Sequence, residues 1–533
     1  MNLSVLLTAT ARACPDRPAL SWGSVCLSYA QLQATVDALS AGFRSLGLQQ
    51  GDRLAFLMPN RPELLETMFA AFAAGLCVVP LNAQFKTEEV LHHLRDSGAA
   101  ALVFSSGYDE VVQEAVDQLR GAPVLVRLAE DDTPADGARG TAAQRTADYD
   151  ELVAGHAGSS PVPADVADGD LAWLFYTSGT TGRPKGAMLT VGNLLFAVVG
   201  WLADVVPLGV GDVTLHAAPL THGAGFYALA ATAKGAHQVL AGTGRFDPEH
   251  VLDLVESAGV TNTWLVPTQI NRLVRSPGFQ TERLSTLHTV VYGGAPFLLE
   301  DLKTAIRRIG PILVQIYGQG ETPMTATWLS REDHDLARPD SDRLLRSAGR
   351  ARTGVEVRVV DAHDRPVPPG TLGEVVVRGS SVMSGYWQRP EASQEVLRGG
   401  WLHTGDLGQL DASGYLQIID RLKDVIITGG ANVYAREVED VLAMHPDVLA
   451  TAVVGLPDRE WGERVVAAVV PRAGSSPSVT DLLGHCSRHL ADYKKPKQVH
   501  LMDALPVSSY GKILKTDLRA ALARADVAPA RSS

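Results

Sequence analysis

A glycine-rich loop with several hydroxyl side chains follows an apolar run near residue 171 and ends at a lysine. The sequence from 171 to 186 reads LAWLFYTSGTTGRPKG. Glycine lets backbone N–H groups approach phosphate oxygens, hydroxyl groups add donors, and lysine adds positive charge. The residues that could bind an anion in this way are Thr177, Ser178, Gly179, Thr180, Thr181, Gly182 and Lys185. Because Pro184 and Gly186 flank the lysine, this is not a Walker A motif. The composition predicts a phosphate-binding loop, with a plain surface turn as the alternative.

Two later turns also follow short apolar runs, and three more motifs come after them. GGAP occupies 293–296 and YGQGET occupies 317–322, each directly after an apolar segment. Open α/β sheets bind ligands at the carboxyl ends of their strands, so both turns are candidate ligand sites. Further along the chain lie WLHTGDLG at 401–408, DRLKD at 420–424 and PVSSYGKILKTDLR at 506–519.

The identity, order and spacing of these motifs resemble those of the adenylate-forming superfamily, which includes acyl-CoA synthetases, peptide-synthetase adenylation domains and firefly luciferase. The resemblance extends from Asn82 to Lys512. It is strongest to acyl- or aryl-acid:CoA ligases. It implies ATP- and Mg²⁺-dependent activation of a carboxylic acid to an acyl-AMP with release of pyrophosphate, followed by acyl transfer to coenzyme A.

The resemblance also assigns residues to the nucleotide. It implies that Gly294 and Ala295 border the adenine and that Tyr317 stacks on it. It implies that Asp406 accepts hydrogen bonds from both ribose hydroxyls, a role for which a carboxylate has enough lone pairs. Arg421 matches a second ribose contact.

Metal binding, catalysis and domain movement are assigned in the same way. Glu321 matches the residue that coordinates Mg²⁺, which needs few protein ligands when phosphate supplies the others. Lys512 is the candidate catalytic residue, because a cation reduces the repulsion between a carboxylate and the α-phosphate in the transition state. Lys423 matches the hinge about which the C-terminal domain is thought to rotate.

Two positions depart from the family pattern. The family usually has threonine directly before the metal-binding glutamate, whereas this chain has Gly320, and the neighbouring Thr322 is not an evident replacement. Some relatives have arginine where this chain has Gln84. Each departure puts one phosphate contact in doubt.

His222, in PLTHGAGF, resembles the histidine near the acyl pocket of CoA ligases, and a buried structural histidine is the alternative. The resemblance places small or apolar residues around the acid, which favours a neutral acyl or aryl group over a second charge. They are Gly223, Ala224, Val266, Ile316, Gly318 and Met324. Arg272 could pair with a second carboxylate, but we interpret it as an exposed helix residue.

The acceptor of the second half-reaction is predicted from YKKPK at 493–497 and DREWGE around Trp461. By resemblance, Tyr493 flanks the adenine of coenzyme A, Lys495 and Lys497 meet its phosphates, and Trp461 lies near the thiol arm. Gly430 lets the pantetheine pass close to the backbone. A solvated basic turn is the alternative.

Three functions remain to be compared. The first is the acid:CoA ligase, and the second is an adenylating enzyme whose acceptor is an amine, a carrier-protein thiol or a small inorganic nucleophile. Gln84 and Gly320 keep the second possible. The third, a non-enzymatic nucleotide-binding or scaffold protein, is disfavoured by Lys512 and Glu321. The sequence identifies neither the acid nor the oligomeric state, although a homodimer is possible.

Composition limits the partners and the location. A net charge of -12 argues against nucleic-acid binding, which depends on clustered lysine and arginine. The four cysteines are far apart, so neither a zinc site nor a disulfide framework is indicated, and we expect a cytoplasmic enzyme. The N-terminus lacks the pattern of a secretory signal, and no apolar stretch is long enough to span a membrane.

The elements that must position these residues follow from hydrophobic patterning. Short apolar runs alternate with helical-period segments through the first two thirds, which predicts a large N-terminal domain of layered α/β subdomains. Alternation after Gly354 predicts a small antiparallel β unit. We place a domain boundary at 420/421, so that 1–420 binds AMP and 421–533 forms a smaller, mobile α+β domain carrying Lys512.

Overall fold

The computed structural model describes residues 1–130, 146–177, 183–242, 246–507 and 513–527, with side chains described to residue 524. The chain divides into two compact units. The larger unit comprises Met1–Gly294, Thr304–Val357 and Val377–Leu402. The smaller unit comprises Ala295–Lys303, Arg358–Val376 and His403–Ser533.

The described residues form α-helices and β-strands that are numbered here in chain order. Helices α1 to α16 span Val5–Ala13, Tyr29–Ser45, Pro62–Ala74, Thr87–Ser97, Asp109–Val116, Tyr149–Gly155, Val191–Gly200, Gly223–Ala233, Pro248–Ala258, Pro267–Val274, Leu299–Ile309, Ser341–Leu345, Pro390–Val396, Ala435–Ala443, Val479–His489 and Lys515–Val527. Strands β1 to β26 span Pro18–Trp22, Val25–Ser28, Arg53–Leu57, Cys77–Leu81, Ala101–Ser105, Val124–Leu128, Thr146–Asp148, Leu171–Thr177, Lys185–Thr190, Val213–His216, His237–Leu240, Asn262–Leu265, Thr289–Tyr292, Leu313–Tyr317, Thr327–Leu329, Arg350–Ala351, Val355–Val360, Gly373–Gly379, Leu397–Arg398, Trp401–Leu410, Leu416–Arg421, Ile426–Thr428, Ala431–Val433, Val448–Asp458, Gly462–Pro471 and Gln498–Leu501.

Two large sheets organise the larger unit. A seven-stranded sheet has the order β7-β6-β5-β3-β4-β8-β9, and a nine-stranded sheet has the order β16-β15-β14-β13-β12-β10-β11-β1-β2. Strands β3, β4, β5, β6 and β8 are parallel, as are β10 to β14. Parallel sheets need cover on both faces, and the helical segments between strands supply it. This arrangement confirms the predicted layered α/β fold.

Buried aromatic and aliphatic side chains hold these layers together. Helix α3 is buried on nearly every side, as expected for a mostly apolar helix, and it also buries the polar side chains of Glu66 and Thr67. Trp173 on β8 packs against Phe226 on α8, with ring centroids 4.9 Å apart. Full burial of such a side chain stabilises the fold by about 1.5 to 3 kcal/mol.

The smaller unit has its own sheet and two hydrophobic layers. Its strands follow the order β23-β22-β25-β24, with β26 pairing beside β25. One layer includes Val438 and Leu482, from α14 and α15, and the other includes Leu518 and Leu522 from α16. The smaller α+β unit that the sequence predicts is therefore present, and the boundary at 420/421 stays a prediction.

Strands β17 to β21 come from the segment whose alternating sequence predicts a β unit. In β17 the burial alternates over Val355 to Arg358 and ends in two buried valines. Strands β20 and β21 are antiparallel, and Asp406 lies opposite Arg421. The helices built from described residues include none with the length and apolar character that a membrane span requires.

Candidate functional site

The stem of the predicted phosphate loop is a pair of antiparallel strands. Strand β8 ends at Thr177 and β9 begins at Lys185, and these two residues lie opposite each other. The Lys185 ammonium lies 5.2 Å from the ring centroid of Tyr386. The predicted loop residues Ser178, Gly179, Thr180, Thr181 and Gly182 lie outside the described residues.

Helix α4 contacts the chain on both sides of this loop. The Tyr176 hydroxyl donates to Asp96 Oδ2 at 2.9 Å before the loop, and His92 Nε2 donates to the carbonyl of Pro184 at 3.0 Å after it. Asp96 also pairs with Arg389 at 2.5 Å. One rigid helix therefore fixes both ends of the loop. Sequence analysis missed this support, because nothing in the spacing of α4 indicates a contact 80 residues away.

Four neighbouring strands of the nine-stranded sheet end at predicted site residues. Strands β14, β13, β12 and β10 are adjacent in that order. They are parallel, so their carboxyl ends meet at one edge of the sheet. The chain leaves this edge through Tyr317, Gly294, Val266 and the segment that leads to His222. The topology thus gathers residues from distant parts of the sequence.

The carboxylate of Glu321 is buried and held in a fixed orientation. Its residue is 7% exposed, and its Oε1 accepts hydrogen bonds from Thr177 Oγ1 at 3.0 Å and from the Tyr386 hydroxyl at 2.8 Å. These two bonds leave the other oxygen, Oε2, for a further ligand. Among the described residues, no group of three or more His, Cys, Asp or Glu could by itself hold a metal. A single carboxylate fits a cation whose other ligands are phosphate and water.

Gly320 is required by the packing of the turn. A Cβ atom there would lie 2.4 Å from Cδ1 of Phe175 and 2.7 Å from Cγ2 of Thr177. Threonine at this position would therefore displace the aromatic ring. Thr322 does not replace it, because its hydroxyl is used inside the turn, accepting from the backbone N–H of Gln319 at 3.1 Å.

The GGAP turn contains two glycines that are needed for different structural reasons. A Cβ on Gly293 would approach the carbonyl oxygen of Ile316 to 2.5 Å, so the two strand ends can meet only at glycine. Gly294 has φ of +81°, a left-handed conformation that glycine adopts at little cost. The backbone at Gly294 is exposed, which leaves this turn open to a ligand.

His222 directly precedes helix α8, at its N-cap position, and is half-buried. Its ring lies 4.8 Å from that of Phe175, centroid to centroid. Phe175 also fills the space beside Gly320. His222 is therefore linked to the Glu321 turn through one aromatic side chain.

The residues predicted to border the acid are mostly buried or half-buried. Ala224, Ile316 and Met324 are nearly inaccessible, whereas Val266 and Gly318 are half-buried. The Cα of Gly223 lies against Trp264, where an added Cβ would meet Cη2 at 1.8 Å. The sequence alone does not indicate a role for Trp264, because its contact with Gly223 joins elements that are distant in the chain. Arg272 is exposed, as expected.

In the smaller unit the two predicted ribose residues form an ion pair. Asp406 is 3% exposed, and Arg421 Nε lies 2.6 Å from its Oδ1. Their opposite positions on β20 and β21 bring them together. Ala295 also belongs to this unit, and Lys423 is exposed directly after β21.

Several residues predicted to bind coenzyme A lie together in the smaller unit. The Lys497 ammonium lies 5.3 Å from the ring centroid of Trp461, and the backbone N–H of Gly429, next to Gly430, donates to the carbonyl of Trp461 at 2.8 Å. Lys495 pairs with Asp492 at 2.6 Å. Trp461 and Tyr493 are 42% and 46% exposed. Exposed aromatic rings beside lysines suit a ligand with a base and phosphates.

The predicted catalytic residue Lys512 lies outside the described residues. The chain on either side of it is paired, because Val507 and Ile513 form an antiparallel bridge. The Lys515 ammonium, three residues after Lys512, lies 2.9 Å from Glu439 Oε1. Burial lowers the pKa of Lys515, but nearby Glu439 and Asp420 outweigh it and raise that pKa overall.

Comparison with known sequences identifies the family of each part of the chain. The sequence model of the AMP-binding enzyme family matches residues 7–387, and that of the AMP-binding enzyme C-terminal domain matches residues 437–512. Feruloyl-CoA synthase of Amycolatopsis sp is 40% identical over 512 residues, which are 96% of each protein.

Known structures agree with this match. ATP-bound MatB from Rhodopseudomonas palustris superposes with a TM-score of 0.86 at 30% identity, covering 98% of this chain and 99% of MatB. The amide bond synthetase McbA from Marinactinospora thermotolerans superposes with a TM-score of 0.85 at 30% identity, covering 97% of this chain and 99% of McbA. The predicted superfamily and the predicted enzyme class, an AMP-forming acid–thiol ligase, are confirmed. The chain belongs to the AMP-binding enzyme family, in the adenylate-forming superfamily and close to the acid:CoA ligases.

Proposed function

We propose that this enzyme uses ATP and Mg²⁺ to convert a carboxylic acid to its acyl-AMP and then transfers the acyl group to coenzyme A. The observation that carries the first step is the Glu321 carboxylate, fixed by Thr177 and Tyr386 beside the stem of the phosphate loop. The observation that carries the second is the exposed Trp461 ring beside Lys497, with the exposed ring of Tyr493 in the same unit.

In this proposal the nucleotide is bound by residues from several strand ends. Tyr317 stacks on the adenine, and Gly294 and Ala295 border its edge. Asp406, oriented by Arg421, accepts hydrogen bonds from the ribose hydroxyls. The loop from Thr177 to Lys185 binds the phosphates, which suits a hydroxyl-rich segment whose ends are fixed.

Adenylation is an attack of a carboxylate oxygen on the α-phosphorus, with the bond to pyrophosphate breaking. Glu321 would hold the cation, and that cation supplies charge neutralisation at the phosphates. Lys512 supplies a second positive charge between the two reacting anions. His222 would orient the acid beside the Phe175 ring.

Thioester formation is an attack of the coenzyme A sulfur on the acyl carbonyl, with AMP as the leaving group. Lys495 and Lys497 would bind the coenzyme A phosphates, and Trp461 and Tyr493 would pack against its apolar and aromatic parts. Gly430, exposed with φ of +81°, leaves room beside the backbone for the pantetheine arm. We further propose a cytoplasmic enzyme that acts on small molecules, and its possible homodimer stays a prediction.

A second acceptor class is favoured by one comparison. McbA, which covers nearly the whole chain at 30% identity, is an amide bond synthetase. Its acyl acceptor is therefore an amine. An adenylating enzyme with an amine acceptor is the alternative for this chain, and the adenylation chemistry is the same in both.

Two measurements test the proposal. Acid-dependent exchange of labelled pyrophosphate into ATP should occur without coenzyme A, because adenylation precedes thioester formation. Mass spectrometry after incubation with ATP, Mg²⁺, a panel of acids and either coenzyme A or amines should then show acyl-CoA. Exchange that strictly requires coenzyme A contradicts the two-step mechanism, and an amide as the only product establishes the alternative acceptor.

A further inference from the structure

Arg352 is a buried cation in the larger unit whose side chain is incompletely bonded. It is 2% exposed, and its Nε and Nη2 have no hydrogen-bond partner among the described residues. Nη1 donates to the carbonyl of Met324 at a long 3.4 Å. Burial lowers the pKa of Arg352 to about 10, partly offset by Asp204, so the guanidinium is still charged at neutral pH.

Asp204 is close to Arg352 but does not satisfy it. The nearest pair of atoms, Nε and Oδ2, is 3.6 Å apart, beyond hydrogen-bond distance. The Asp204 carboxylate instead accepts from the backbone N–H and the hydroxyl of Thr353, at 3.0 and 2.7 Å. The two charges balance each other, whereas Nε and Nη2, which packs against Gly200 of α7, have no hydrogen-bond acceptor among the described residues.

Two indole N–H groups near Arg352 also lack an acceptor within the described part of the chain, and together with Arg352 they form one cluster. These belong to Trp201 and Trp264, whose ring centroids are 6.3 Å apart. Arg352 Cζ lies 5.7 Å from the Trp201 ring centroid. Trp201 and Asp204 both belong to a π-helical turn that continues α7, a feature found often at functional sites. Buried donors usually have partners, so three such side chains close together form a place where an acceptor atom of a ligand would be stabilised.

This cluster is continuous with the candidate active site. Trp264 contacts the backbone of Gly223, directly after His222. Met324, whose carbonyl Arg352 contacts, follows Glu321 by three residues. A molecule with its carboxylate near His222 would therefore extend towards Trp264 and Arg352.

The chemistry of the cluster defines what it can bind. Its donors need an oxygen acceptor, and its walls are aromatic, with Trp201 stacked on Tyr227 at 4.8 Å. Because Asp204 already balances the charge of Arg352, a neutral oxygen fits better than a second carboxylate. We propose that Arg352, Trp201 and Trp264 bind a hydroxyl or alkoxy oxygen at the far end of an aromatic acid, and that this contact selects the substrate. The inference rests on the proposed acid activation.

Matched pairs of acids test this selection. Pyrophosphate exchange should be compared for 4-hydroxycinnamic against cinnamic acid, and for 4-hydroxybenzoic against benzoic acid. A hydrogen bond to a charged donor is worth about 1.5 to 3 kcal/mol. For the pair of acids that the wild type uses more efficiently, its kcat/KM should therefore be about ten- to hundredfold higher for the oxygenated acid than for the plain acid. Arg352→Gln should reduce that ratio to within about threefold of one. Arg350→Gln, which removes an exposed guanidinium two residues away, should keep the ratio.

Trp264→Phe tests the site without removing a buried charge. It keeps an aromatic ring at this position and removes one hydrogen-bond donor, so the ratio of kcat/KM for the oxygenated acid to that for the plain acid should fall. If Arg352→Gln does not fold, this variant decides the result. A wild-type ratio near one in both pairs, or an unchanged ratio in Trp264→Phe and in any folded Arg352→Gln, overturns the inference.

Binding measured without ATP separates this inference from the proposed function. The wild type should be stabilised against thermal unfolding more by an oxygenated acid than by its plain partner, and Arg352→Gln or Trp264→Phe should reduce this difference. If no acid supports exchange but this pattern is seen, the proposed function fails and the inference stands. If exchange proceeds but both acids bind equally, the inference fails and the function stands.

Discussion

At the scale of single residues, the candidate site depends on side chains that orient other side chains through hydrogen bonds. Glu321 is placed by Thr177 and Tyr386, which both donate to the same carboxylate oxygen. Glu321 and Thr177 could be predicted because they belong to recognisable motifs. Tyr386 could not, because its contact joins residues 65 positions apart in the chain. The predicted metal role of Glu321 therefore depends on a tyrosine that no local pattern indicates.

Lys512 is expected to act mainly in the first half-reaction. Lys512→Ala should slow adenylation by on the order of a hundredfold, because it removes a cation between two anions in the transition state. Thioester formation from chemically supplied acyl-AMP should be much less affected. The two half-reactions are measured separately on the purified variant, the first by pyrophosphate exchange and the second by release of AMP.

Lys234→Ala is a suitable control, since it removes an exposed lysine after α8 and should change neither half-reaction. Equal damage to both half-reactions in Lys512→Ala, or damage to neither, would contradict this role. It would also contradict the exchange of domain positions that the resemblance implies.

At the scale of helices and strands, a buried carboxyl couples α3 to α6. Glu66 on α3 is 5% exposed, and the Tyr149 hydroxyl at the start of α6 donates to its Oε2 at 2.6 Å. Burial raises the pKa of Glu66 to about 7, against the opposing effect of the Tyr149 hydrogen bond. The folded protein therefore binds a proton here more tightly than the unfolded chain does.

This shift predicts how stability depends on pH. The contribution from Glu66 is complete below its unfolded pKa of 4.5 and is lost as pH rises through about 7. Glu66→Gln should remove this loss, because glutamine stays neutral and can still accept from Tyr149. We expect similar thermal unfolding temperatures at pH 5 and a more stable variant at pH 8.5, by at most on the order of 3 kcal/mol.

The control is Glu110→Gln, which neutralises an exposed glutamate on α5. Its unfolding temperature should follow that of the wild type across the whole pH range. If the unfolding temperatures of the wild type and of Glu66→Gln change with pH in the same way, Glu66 does not titrate between pH 5 and pH 8.5.

At the scale of the whole molecule, the chain has one unit that carries Glu321 and another that carries the proposed coenzyme A residues. The double variant Lys495→Ala, Lys497→Ala should raise the KM for coenzyme A and leave pyrophosphate exchange nearly unchanged, because in the proposal these two charges contact coenzyme A and not ATP or the acid. The increase should shrink at high salt, where contacts between exposed charges are screened. Initial rates at several coenzyme A and salt concentrations measure this.

Lys494→Ala provides a matched control from the same turn. Lys494 already donates to both oxygens of Glu437, at 2.7 and 2.8 Å, so its ammonium is committed within the protein. Its removal should affect coenzyme A kinetics much less than the double variant does. Unchanged coenzyme A kinetics in the double variant would shift the proposal towards another acceptor.

Sequence reasoning reached the fold class, the family and the motif residues, because strand periodicity and the phosphate loop are both local patterns. It did not reach Asp96, Trp264 or Arg352, whose importance depends on contacts between elements far apart in the chain. The departure at Gly320 was visible in the sequence. Its physical reason, the ring of Phe175, required the packing.

The first two strands have a consequence for how this protein is made. Ser21 on β1 hydrogen-bonds to His237 on β11 at 2.7 Å, although the two residues are 216 positions apart. A ribosome that adds about 5 to 20 residues per second needs about 10 to 40 s to synthesise the chain between them. Throughout that interval β1, with the fully buried Leu20, can pair with β2 but not with β11, the strand that joins it to the rest of the sheet. Strands β1 and β2 are thus made long before the sheet that they join, so a chaperone acting on the nascent chain would have time to bind them.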